Sequence, residues 1–317
     1  MTPEEKRAFL NMTLDEKVQR TKELIYEWYL QYRGQVYVSF SGGKDSTVLL
    51  HIARSIGRGC ENIKGVFIDT GLEFPEIRDF VKKQENIVWL KPKLTFKEVL
   101  EKYGWPIISK EQSGYIYEAR TTKSEKLRNI RLGHEGFHIA DKWRPLLDAD
   151  FKISNKCCTI MKKEPAKRFE KETGLKPMVA TMASESILRY TQYMNGNCNA
   201  FSAKRPISKP LSFWNEQNVL EYIERERLEI CSVYGEIVRD EDKDGGLRCT
   251  GRDRTGCMFC MYGAHLDNRF EKMKCTHPGL YDYIMNRLGG RAVLEKYIDC
   301  SRESHLENKN RVEKKMG

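Results

Sequence analysis

The residues of this chain that are best suited to chemistry form a short glycine-containing segment. It reads Ser41-Gly42-Gly43-Lys44-Asp45-Ser46, and it separates an apolar run at residues 36–40 from a helical pattern at residues 46–54. Glycines lack a Cβ atom, so the backbone N–H groups of the turn can approach an anion closely. The serines add hydroxyl donors, the lysine adds a positive charge, and the next helix points its positive dipole end at the same place. The segment therefore predicts a phosphate-binding loop, although a plain strand-to-helix turn is compatible with these residue types.

Two pairs of cysteines form a second pattern with chemical potential. Cys157 and Cys158 are adjacent, whereas Cys257 and Cys260 are separated by two residues. A Cys-x-x-Cys pair brings two thiolates to one metal site, and a second pair would complete four-sulfur coordination. Adjacent side chains diverge, which disfavours a single zinc ion, whereas a four-iron cluster is wide enough for both. The four cysteines therefore favour a 4Fe–4S cluster.

Other ligand sets remain open on the same spacing. Cys249 and Cys275 flank the Cys-x-x-Cys pair and could join it around a structural zinc ion, with His265 or His277 as a substitute ligand. Reduced buried thiols are a third interpretation. The other cysteines are isolated in the sequence and are interpreted as free thiols: Cys60, Cys198, Cys231 and Cys300.

Composition limits the class of protein. The chain has 317 residues, of which 40% are hydrophobic and 32% are charged. It contains no apolar run near the roughly 18 residues of a membrane span, and its first residues lack the apolar segment of a signal peptide. We therefore expect a cytoplasmic protein without disulfides. The formal net charge of +10 indicates a polyanionic ligand, either a nucleotide or a nucleic acid.

The segments around the loop predict the elements that position it. Apolar strand patterns start at residue 35 and recur at residues 63–69, 87–90 and 177–183, with helical patterns between them. This alternation predicts an α/β fold with an open, mostly parallel twisted sheet and helices on both faces. We predict a helical segment at residues 1–33, a nucleotide-binding α/β domain at residues 34–239, and a small helical Cys/His-bearing module with a basic tail at residues 240–317.

Further candidate residues follow the predicted strands. Asp69, Thr70 and Gly71 come at the carboxyl end of the second strand, where open α/β sheets bind ligands, or they form a plain turn. Lys110 lies in a loop that could return to a phosphate. Arg189 could bind a phosphate or sulfate bidentately, or it could cap a surface helix. Three arginines before Cys257 are compatible with an anionic ligand or with a solvated loop: Arg248, Arg252 and Arg254.

Several of these motifs resemble those of a known superfamily. The glycine-containing loop resembles the pyrophosphate loop (PP-loop) of the ATP pyrophosphatases, which include ATP sulfurylase small subunits, sulfonucleotide reductases and thiolation enzymes. The segment 69–76 reads Asp-Thr-Gly-Leu-Glu-Phe-Pro-Glu and resembles a segment of the phosphoadenylyl sulfate (PAPS) reductase family. Ser186 and Arg189 match part of a second segment of that family. The two cysteine pairs resemble the cluster signature of adenylyl sulfate reductases.

This resemblance covers residues 35–262 and implies an adenine nucleotide alpha hydrolase-like fold. It implies catalytic roles for Lys44, Asp45 and Arg189, and cluster ligation by Cys157, Cys158, Cys257 and Cys260. It implies contacts to ATP or to adenylyl sulfate from a larger set: Ser39, Ser41, Gly42, Gly43, Lys44, Asp45, Ser46, Asp69, Thr70, Gly71 and Lys110.

Two departures from the reductases bear on the reaction. Reductases end in a Glu-Cys-Gly-Leu-His segment with a nucleophilic cysteine, whereas this chain has only Cys300 followed by His305. The loop is also intact, although reductases often degrade it because they do not cleave ATP. Both departures favour an ATP pyrophosphatase that adenylates a substrate in sulfur transfer or thiolation and forms AMP and pyrophosphate. Mg²⁺ would bridge the phosphates, with Asp45 as a candidate contact.

Two alternatives remain. The chain could be a sulfonucleotide reductase that releases sulfite, with Cys300 or another cysteine as its thiol and a thioredoxin-like reductant as its partner. It could instead be a nucleotide-binding module associated with nucleic acid and without catalysis. The leading interpretation also predicts a sulfur donor as a partner. No membrane partner is expected.

Overall fold

The computed structural model of the protein describes residues 2–240 and 245–297. The helices are α1 (Pro3–Leu10), α2 (Leu14–Gln31), α3 (Lys44–Ser55), α4 (Pro75–Lys82), α5 (Phe96–Tyr103), α6 (Lys110–Thr121), α7 (Glu125–Leu132), α8 (Glu164–Thr173), α9 (Ile187–Asn195), α10 (Glu216–Glu226), α11 (Arg269–Thr276) and α12 (Pro278–Asp282). The strands are β1 (Val36–Ser39), β2 (Lys64–Ile68), β3 (Ile87–Leu90), β4 (Ile107–Ile108), β5 (Lys176–Met178), β6 (Asn199–Ala200), β7 (Ile207–Ser208), β8 (Ile237–Arg239), β9 (Leu247–Cys249) and β10 (Met261–Tyr262). Residues 290–297 are also helical.

The chain divides into two compact units, each assembled from separate stretches of sequence. The first unit comprises residues 1–69, 73–91 and 165–256, and the second comprises residues 70–72, 92–164 and 257–317. This division differs from the predicted boundaries at residues 34 and 240. The N-terminal helices belong to the first unit, and the Cys-bearing segment after residue 256 shares the second unit with residues 92–164.

The first unit is built on a six-stranded sheet in the order β3-β2-β1-β5-β7-β6. The pairs β3–β2, β2–β1, β1–β5 and β5–β7 are parallel, and only the edge pair β7–β6 is antiparallel. In the centre, Val38 lies opposite Gly65 on one side and Met178 on the other. The predicted open, mostly parallel sheet is therefore confirmed.

Helices cover both faces of this sheet. On one face, the ring of Phe169 in α8 meets the ring of Tyr37 edge-on at 5.5 Å, and Val66 packs beside them. On the other face, Gly65 lies so close to α3 that a Cβ atom there would come within 3.4 Å of Leu50. Both faces are thus buried, which explains why the central strands are apolar throughout rather than alternating.

The N-terminal helix α2 is joined to the carboxyl half of the first unit. Thr13 caps α2, and its backbone N–H donates to the Glu16 carboxylate at 2.8 Å, which completes a capping box. The buried Trp214 donates from Nε1 to Thr21 Oγ1 at 2.9 Å. This contact fixes the segment that leads into α10, the helix that carries one wall of the cleft described below.

The second unit contains a separate two-stranded parallel sheet, β4–β10. Ile107 pairs with Met261 and Ile108 with Tyr262, so residues more than 150 positions apart form one ladder. A ring cluster packs nearby, in which Trp143 lies 5.3 Å from the ring of His265 and 5.4 Å from that of Tyr297. Within the described part of the chain, no helix is both long enough and apolar enough to cross a membrane.

Candidate active site

The loop between β1 and α3 requires glycine at its second position for two reasons. Gly42 has a φ of +72°, in the region that side chains with a Cβ rarely adopt. A Cβ atom built there would also lie 2.7 Å from Val81 Cγ2 and 2.9 Å from Ile77 Cγ2, both in α4. The loop therefore turns tightly and packs directly on a neighbouring helix.

Hydroxyl groups surround the next position of the loop. A Cβ atom on Gly43 would lie 3.0 Å from the Tyr234 hydroxyl and 3.2 Å from the hydroxyls of both Ser41 and Thr255. The Tyr234 and Thr255 hydroxyls are hydrogen-bonded to each other at 2.8 Å. Ser46 Oγ donates to the Gly43 carbonyl at 2.9 Å and accepts from Ser41 N at 3.1 Å. Glycine thus leaves a small polar hollow whose walls are hydrogen-bonding oxygens.

Lys44 is the best-buried charge at this place. Its side chain is only 4% exposed, and Nζ donates to the Asp253 carbonyl at 2.6 Å and lies 3.1 Å from Glu216 Oε1. The ammonium also lies 5.2 Å from the ring centre of Tyr234. Burial alone would lower the pKa of Lys44, but Asp45 and Glu216 outweigh this effect and raise it. The ammonium is therefore charged at neutral pH.

Asp45 lies in the first turn of α3 and carries an unused acceptor. Its Oδ1 atom is buried and accepts no hydrogen bond, although Lys44 Nζ lies 4.0 Å away. Burial raises the pKa of Asp45, Lys44 opposes the shift, and Glu216 adds to it. A buried carboxylate oxygen without a donor is costly, and it is the type of ligand that Mg²⁺ prefers.

These residues line a cleft of about 580 Å³, within the usual size range of small-molecule sites. Three cations and three carboxylates line it, so its charges are balanced within the protein. The lining residues are Ser41, Gly43, Lys44, Asp45, Met182, Ser184, Glu185, Arg189, Asn215, Glu216, Gln217, Tyr234, Arg254, Thr255 and Gly256.

Two arginines bring further positive charge to the cleft. Arg189 forms an ion pair with Glu185, which also accepts a hydrogen bond from Met182 N at 2.8 Å. Burial lowers the pKa of Arg189, and the nearby positive charge of Arg254 lowers it further. Two guanidinium groups that repel each other in a partly buried cleft are a suitable site for a multiply charged anion.

The structure brings only part of the predicted nucleotide set to this cleft. Ser41, Gly43, Lys44, Asp45 and Arg189 line it, and Gly42 and Ser46 shape the loop. Ser39 ends β1 and Asp69 pairs with Arg78 at 2.9 Å; neither lines the cleft. Thr70, Gly71 and Lys110 belong to the second unit.

Several cleft residues were not among the predicted sites. Glu216 follows the N-cap of α10, Tyr234 ends a short 3-10 helix, and Thr255 lies in an irregular segment; none of the three belongs to a recognisable motif. Arg254 belongs to the three arginines noted in the sequence, and the cluster of positive charge was the one signal available for it. Arg252 instead lies over the Phe74 ring at 4.5 Å, and Arg248 lies 3.7 Å from Asp240.

The four predicted cluster cysteines all belong to the second unit. Burial raises the pKa of Cys157, and Cys158, Cys257 and Cys260 each raise it further through their charge. Burial likewise raises the pKa of Cys260 to about 11, and Cys257 and Cys158 contribute. The four thiols therefore lie within range of one another's electrostatic influence. Across residues 2–240 and 245–297, however, no three or more His, Cys, Asp or Glu side chains are grouped closely enough to hold a metal ion.

The alternative metal ligands have other surroundings. Cys249 ends β9 in the first unit; burial raises its pKa, whereas Lys44 opposes the shift. Cys275 is exposed on α11. In the second unit, His265 Nδ1 is hydrogen-bonded to the Tyr297 hydroxyl. Cys300 and His305 lie outside the described residues.

Comparison with known proteins decides the family. The model of the phosphoadenosine phosphosulfate reductase domain matches residues 35–135 and 115–262, which is most of the chain. The chain belongs to the phosphoadenosine phosphosulfate reductase family. The resemblance inferred from the loop, the 69–76 segment and the cysteine pairs is thereby confirmed at the level of the family.

Relatives of this reductase-family chain match parts of it. An uncharacterised protein of Methanocaldococcus jannaschii is 27% identical over 273 residues, which cover 85% of this chain and 44% of that protein. Adenosine 5'-phosphosulfate reductase of Bacillus cereus is 30% identical over 87 residues, which cover 25% of this chain and 36% of the relative. The chain spans less than half the length of these curated relatives.

One solved structure similar to this reductase-family chain is a phosphoadenylyl-sulfate reductase from Candida auris in a phosphate complex. It is 17% identical with a TM-score of 0.37, and the match covers 67% of this chain and 82% of that one.

Proposed function

We propose that this protein is an enzyme that binds ATP in the cleft and adenylates an oxygen atom of its substrate. The acceptor oxygen attacks the α-phosphorus, the bond between the α-phosphorus and the bridging oxygen breaks, and the electron pair leaves with pyrophosphate. A sulfur nucleophile from a separate donor then displaces AMP, so that ATP yields AMP and pyrophosphate. The observation that carries the proposal is the intact loop, in which the buried Lys44 and the hydroxyl-lined hollow at Gly43 lie at the start of α3.

The residues of the cleft suit separate tasks in such a reaction. Lys44 and the backbone at the start of α3 would stabilise the negative charge of the leaving pyrophosphate. Arg189 and Arg254 would hold a second anionic group, either the α-phosphate or an anion on the acceptor. The Tyr234 hydroxyl accepts from Lys44 N at 3.2 Å, and it would have to release this amide for a phosphate to bind there.

Mg²⁺ fits the cleft on the chemistry of its donors. Asp45 offers a buried carboxylate oxygen that no protein group satisfies, and hard oxygen ligands suit this ion. When bound together with the triphosphate, the ion would neutralise charge on the phosphate oxygens. Asp45 would then hold the ion, and Lys44 would hold a phosphate oxygen.

A 4Fe–4S cluster fits the four cysteines of the second unit on their chemistry. Thiolates are the usual ligands of such clusters, and the thiols of Cys157, Cys158, Cys257 and Cys260 influence one another electrostatically. When bound, the cluster would supply a site for sulfur transfer or a brace between distant segments. Ionisation of the buried thiols is unfavourable without a metal, and metal binding would remove this cost. A structural zinc ion is the competing proposal for the same residues.

A sulfonucleotide reductase is the second candidate, favoured by the family itself and by the Bacillus cereus relative. In that reaction a thiol would attack the sulfur of adenylyl sulfate and expel AMP, and a thioredoxin-like reductant would then release sulfite. Cys300 is the predicted thiol. The intact loop supports ATP use over this alternative. A cytoplasmic location remains a prediction for either enzyme.

The products of the reaction distinguish the two candidates. Purified protein is incubated with Mg²⁺, ATP and sulfide as the sulfur donor, with bulk tRNA, sheared DNA or sulfate as separate acceptors, and AMP and pyrophosphate are measured. A parallel sample receives adenylyl sulfate and dithiothreitol, and sulfite is measured. We expect AMP and pyrophosphate in equal amounts with one acceptor, and Lys44→Ala should reduce this release by about 100-fold. Lys82→Ala, at an exposed position of α4, is the matched control and should retain the activity.

Other outcomes would reassign the protein. Sulfite release without pyrophosphate release would establish the reductase. ATP binding without any product from any acceptor would favour a nucleotide-binding module associated with nucleic acid. Full activity of Lys44→Ala would contradict the role of the loop.

A further inference from the structure

Glu216 contacts the lysine of the phosphate-binding loop from the opposite wall of the cleft. It is the first residue of α10, and Asn215 precedes it as the N-cap. Its Oε1 atom lies 3.1 Å from Lys44 Nζ, although 172 positions separate the two residues in the sequence. The carboxylate therefore occupies one of the positions from which an anion can bind this ammonium.

A second donor of Lys44 is engaged by a backbone carbonyl, whereas Asp45 Oδ1 accepts no hydrogen bond from it. Lys44 Nζ donates to the Asp253 carbonyl at 2.6 Å and lies 4.0 Å from Asp45 Oδ1. An ammonium has three donors, and Glu216 and the Asp253 carbonyl take two of them, so a phosphate that binds more than one donor of Lys44 must displace one of these partners. The Asp253 carbonyl is part of the backbone, whereas Glu216 is a side chain that is 52% exposed. Glu216 is thus the partner that can rotate into solvent.

The charge of Glu216 also affects which form of a nucleotide can enter. Glu216 and Asp45 place two carboxylates around one ammonium, and a free triphosphate would bring about four further negative charges to them. A divalent cation bound to the triphosphate lowers this repulsion and can itself contact carboxylate oxygens. The two carboxylates therefore repel mainly the nucleotide that has no bound metal ion.

We propose that Glu216 is a specificity-determining residue that makes the cleft select the Mg²⁺ complex of the nucleotide over the free nucleotide. The inference rests on the proposed binding of ATP in this cleft. It adds a residue outside the glycine-containing loop and assigns it a task in selecting the substrate form. Glu216 acts by competing for Lys44 and by repelling uncomplexed phosphate.

Calorimetric titration of the full chain with ATP tests this assignment, in EDTA and in excess Mg²⁺. The quantity of interest is the ratio of Kd for free ATP to Kd for Mg²⁺-ATP. In Glu216→Gln, free ATP should bind about two- to fivefold more tightly, and the ratio should fall by that factor, because a partly exposed charge contributes this much. Glu216→Ala is expected to change the ratio in the same direction. Glu224→Gln makes the same charge change at an exposed position of α10 and should leave the ratio at the wild-type value.

Each contrary result has a distinct meaning. If both Glu216 variants keep the wild-type ratio, the selection is not due to Glu216 and the inference is wrong. If both variants bind the two forms more weakly by the same factor, Glu216 only positions Lys44, which also overturns the inference. If the wild-type protein binds ATP in neither condition, the proposed function fails first and the inference fails with it.

Discussion

Asp45 is the residue at which the stability of the fold and the proposed chemistry conflict most clearly. Its Oδ1 atom is buried without a hydrogen bond, and its charge is offset mainly by the ammonium of Lys44 at 4.0 Å and less by Arg254 and Arg189. Burial raises the pKa of the carboxyl, so the folded protein disfavours the ionised form that prevails at neutral pH. Carboxylates that are costly in this way are often kept because a ligand satisfies them.

This conflict leads to a prediction about Asp45→Asn. Because the pKa is raised in the folded state, the stabilising contribution of the carboxyl is complete below its ordinary value of 3.8 and is lost as the pH rises through the raised value. Asparagine carries no charge at any pH. At pH 7 the variant should therefore melt about 1–3 °C above the wild type, and the difference should narrow as the pH falls toward 3.8. Melting curves across this pH range provide the measurement.

The matched control is Asp79→Asn on α4. Asp79 is exposed, and its hydrogen bond with Lys82 lowers the pKa of its carboxyl, so its ionised form is favoured in the folded protein. Its neutral variant should gain no stability at pH 7. An Asp45→Asn protein that melts below the wild type at pH 7 would show that the Lys44 contact outweighs the cost of burial.

The residues of the loop could be predicted because consecutive positions meet in space there. Glycine, serine and lysine in this order are typical of a strand-to-helix turn that binds phosphate. Glu216 and Tyr234 gave no such signal, since a glutamate at a helix start and a tyrosine in a short 3-10 helix are ordinary in proteins. Their place in the cleft follows from the fold, which brings them to Lys44 from 172 and 190 positions away.

At the scale of elements, periodicity predicted the strands of the central sheet with small errors at their ends. The predicted strand 63–69 is observed as Lys64–Ile68, and the predicted strand at 87–90 is observed at Ile87–Leu90. The apolar run 177–183 suggested a longer strand than β5, which ends at Met178. The next backbone group, Val179 N, still donates to the Ser208 carbonyl, but the chain then turns toward the cleft. An apolar run indicates that a segment is buried, but it does not indicate the residue at which its pairing with the neighbouring strand ends.

The contact of the loop with α4 predicts an unequal effect of two glycine substitutions. Gly42→Ala should lower the free energy of unfolding by about 1–2 kcal/mol for its positive φ and by about 1–3 kcal/mol more for the overlap with Val81 and Ile77. Gly57 has nearly the same φ, +71°, but a Cβ atom there meets nothing within 4 Å. Gly57→Ala should therefore lose only about 1–2 kcal/mol, which is due to its positive φ. Urea unfolding of both variants measures the difference, and equal losses would refute the packing of the loop on α4.

At the scale of the whole molecule, the two compact units explain why the predicted domain boundaries differ from the observed division. The sequence of the Cys-bearing segment suggested a separate module, but its strand β10 pairs with β4, more than 150 positions earlier. Two-residue strands leave almost no pattern in a sequence, so this pairing could not be foreseen.

The net charge of +10 is not located in the cleft, which is lined by three cations and three carboxylates. The excess of positive charge lies elsewhere on the chain.

The four cysteines lie in two segments that are 99 positions apart, so the proposed cluster would have a consequence for the whole chain. Protein purified without oxygen should contain about four irons and four sulfides per chain and absorb broadly near 400 nm. A cluster that joins residues 157–158 to residues 257–260 would close a long loop and bind only the folded state. Removal of iron by a chelator should therefore lower the melting temperature as well as the absorbance.

Single substitutions show whether the predicted ligands are responsible. Cys158→Ser and Cys260→Ser should each lose most of the iron and the stability that iron confers, because a cluster held by three thiolates is more exposed to loss. Cys275→Ser removes an exposed thiol of the same unit and should keep both. If the protein contains one zinc ion per chain in place of iron, and Cys275→Ser loses that zinc, the metal ligands are instead the alternative set that includes Cys249 and Cys275. Protein without metal whose melting temperature is unaffected by chelator would leave the four cysteines as reduced buried thiols.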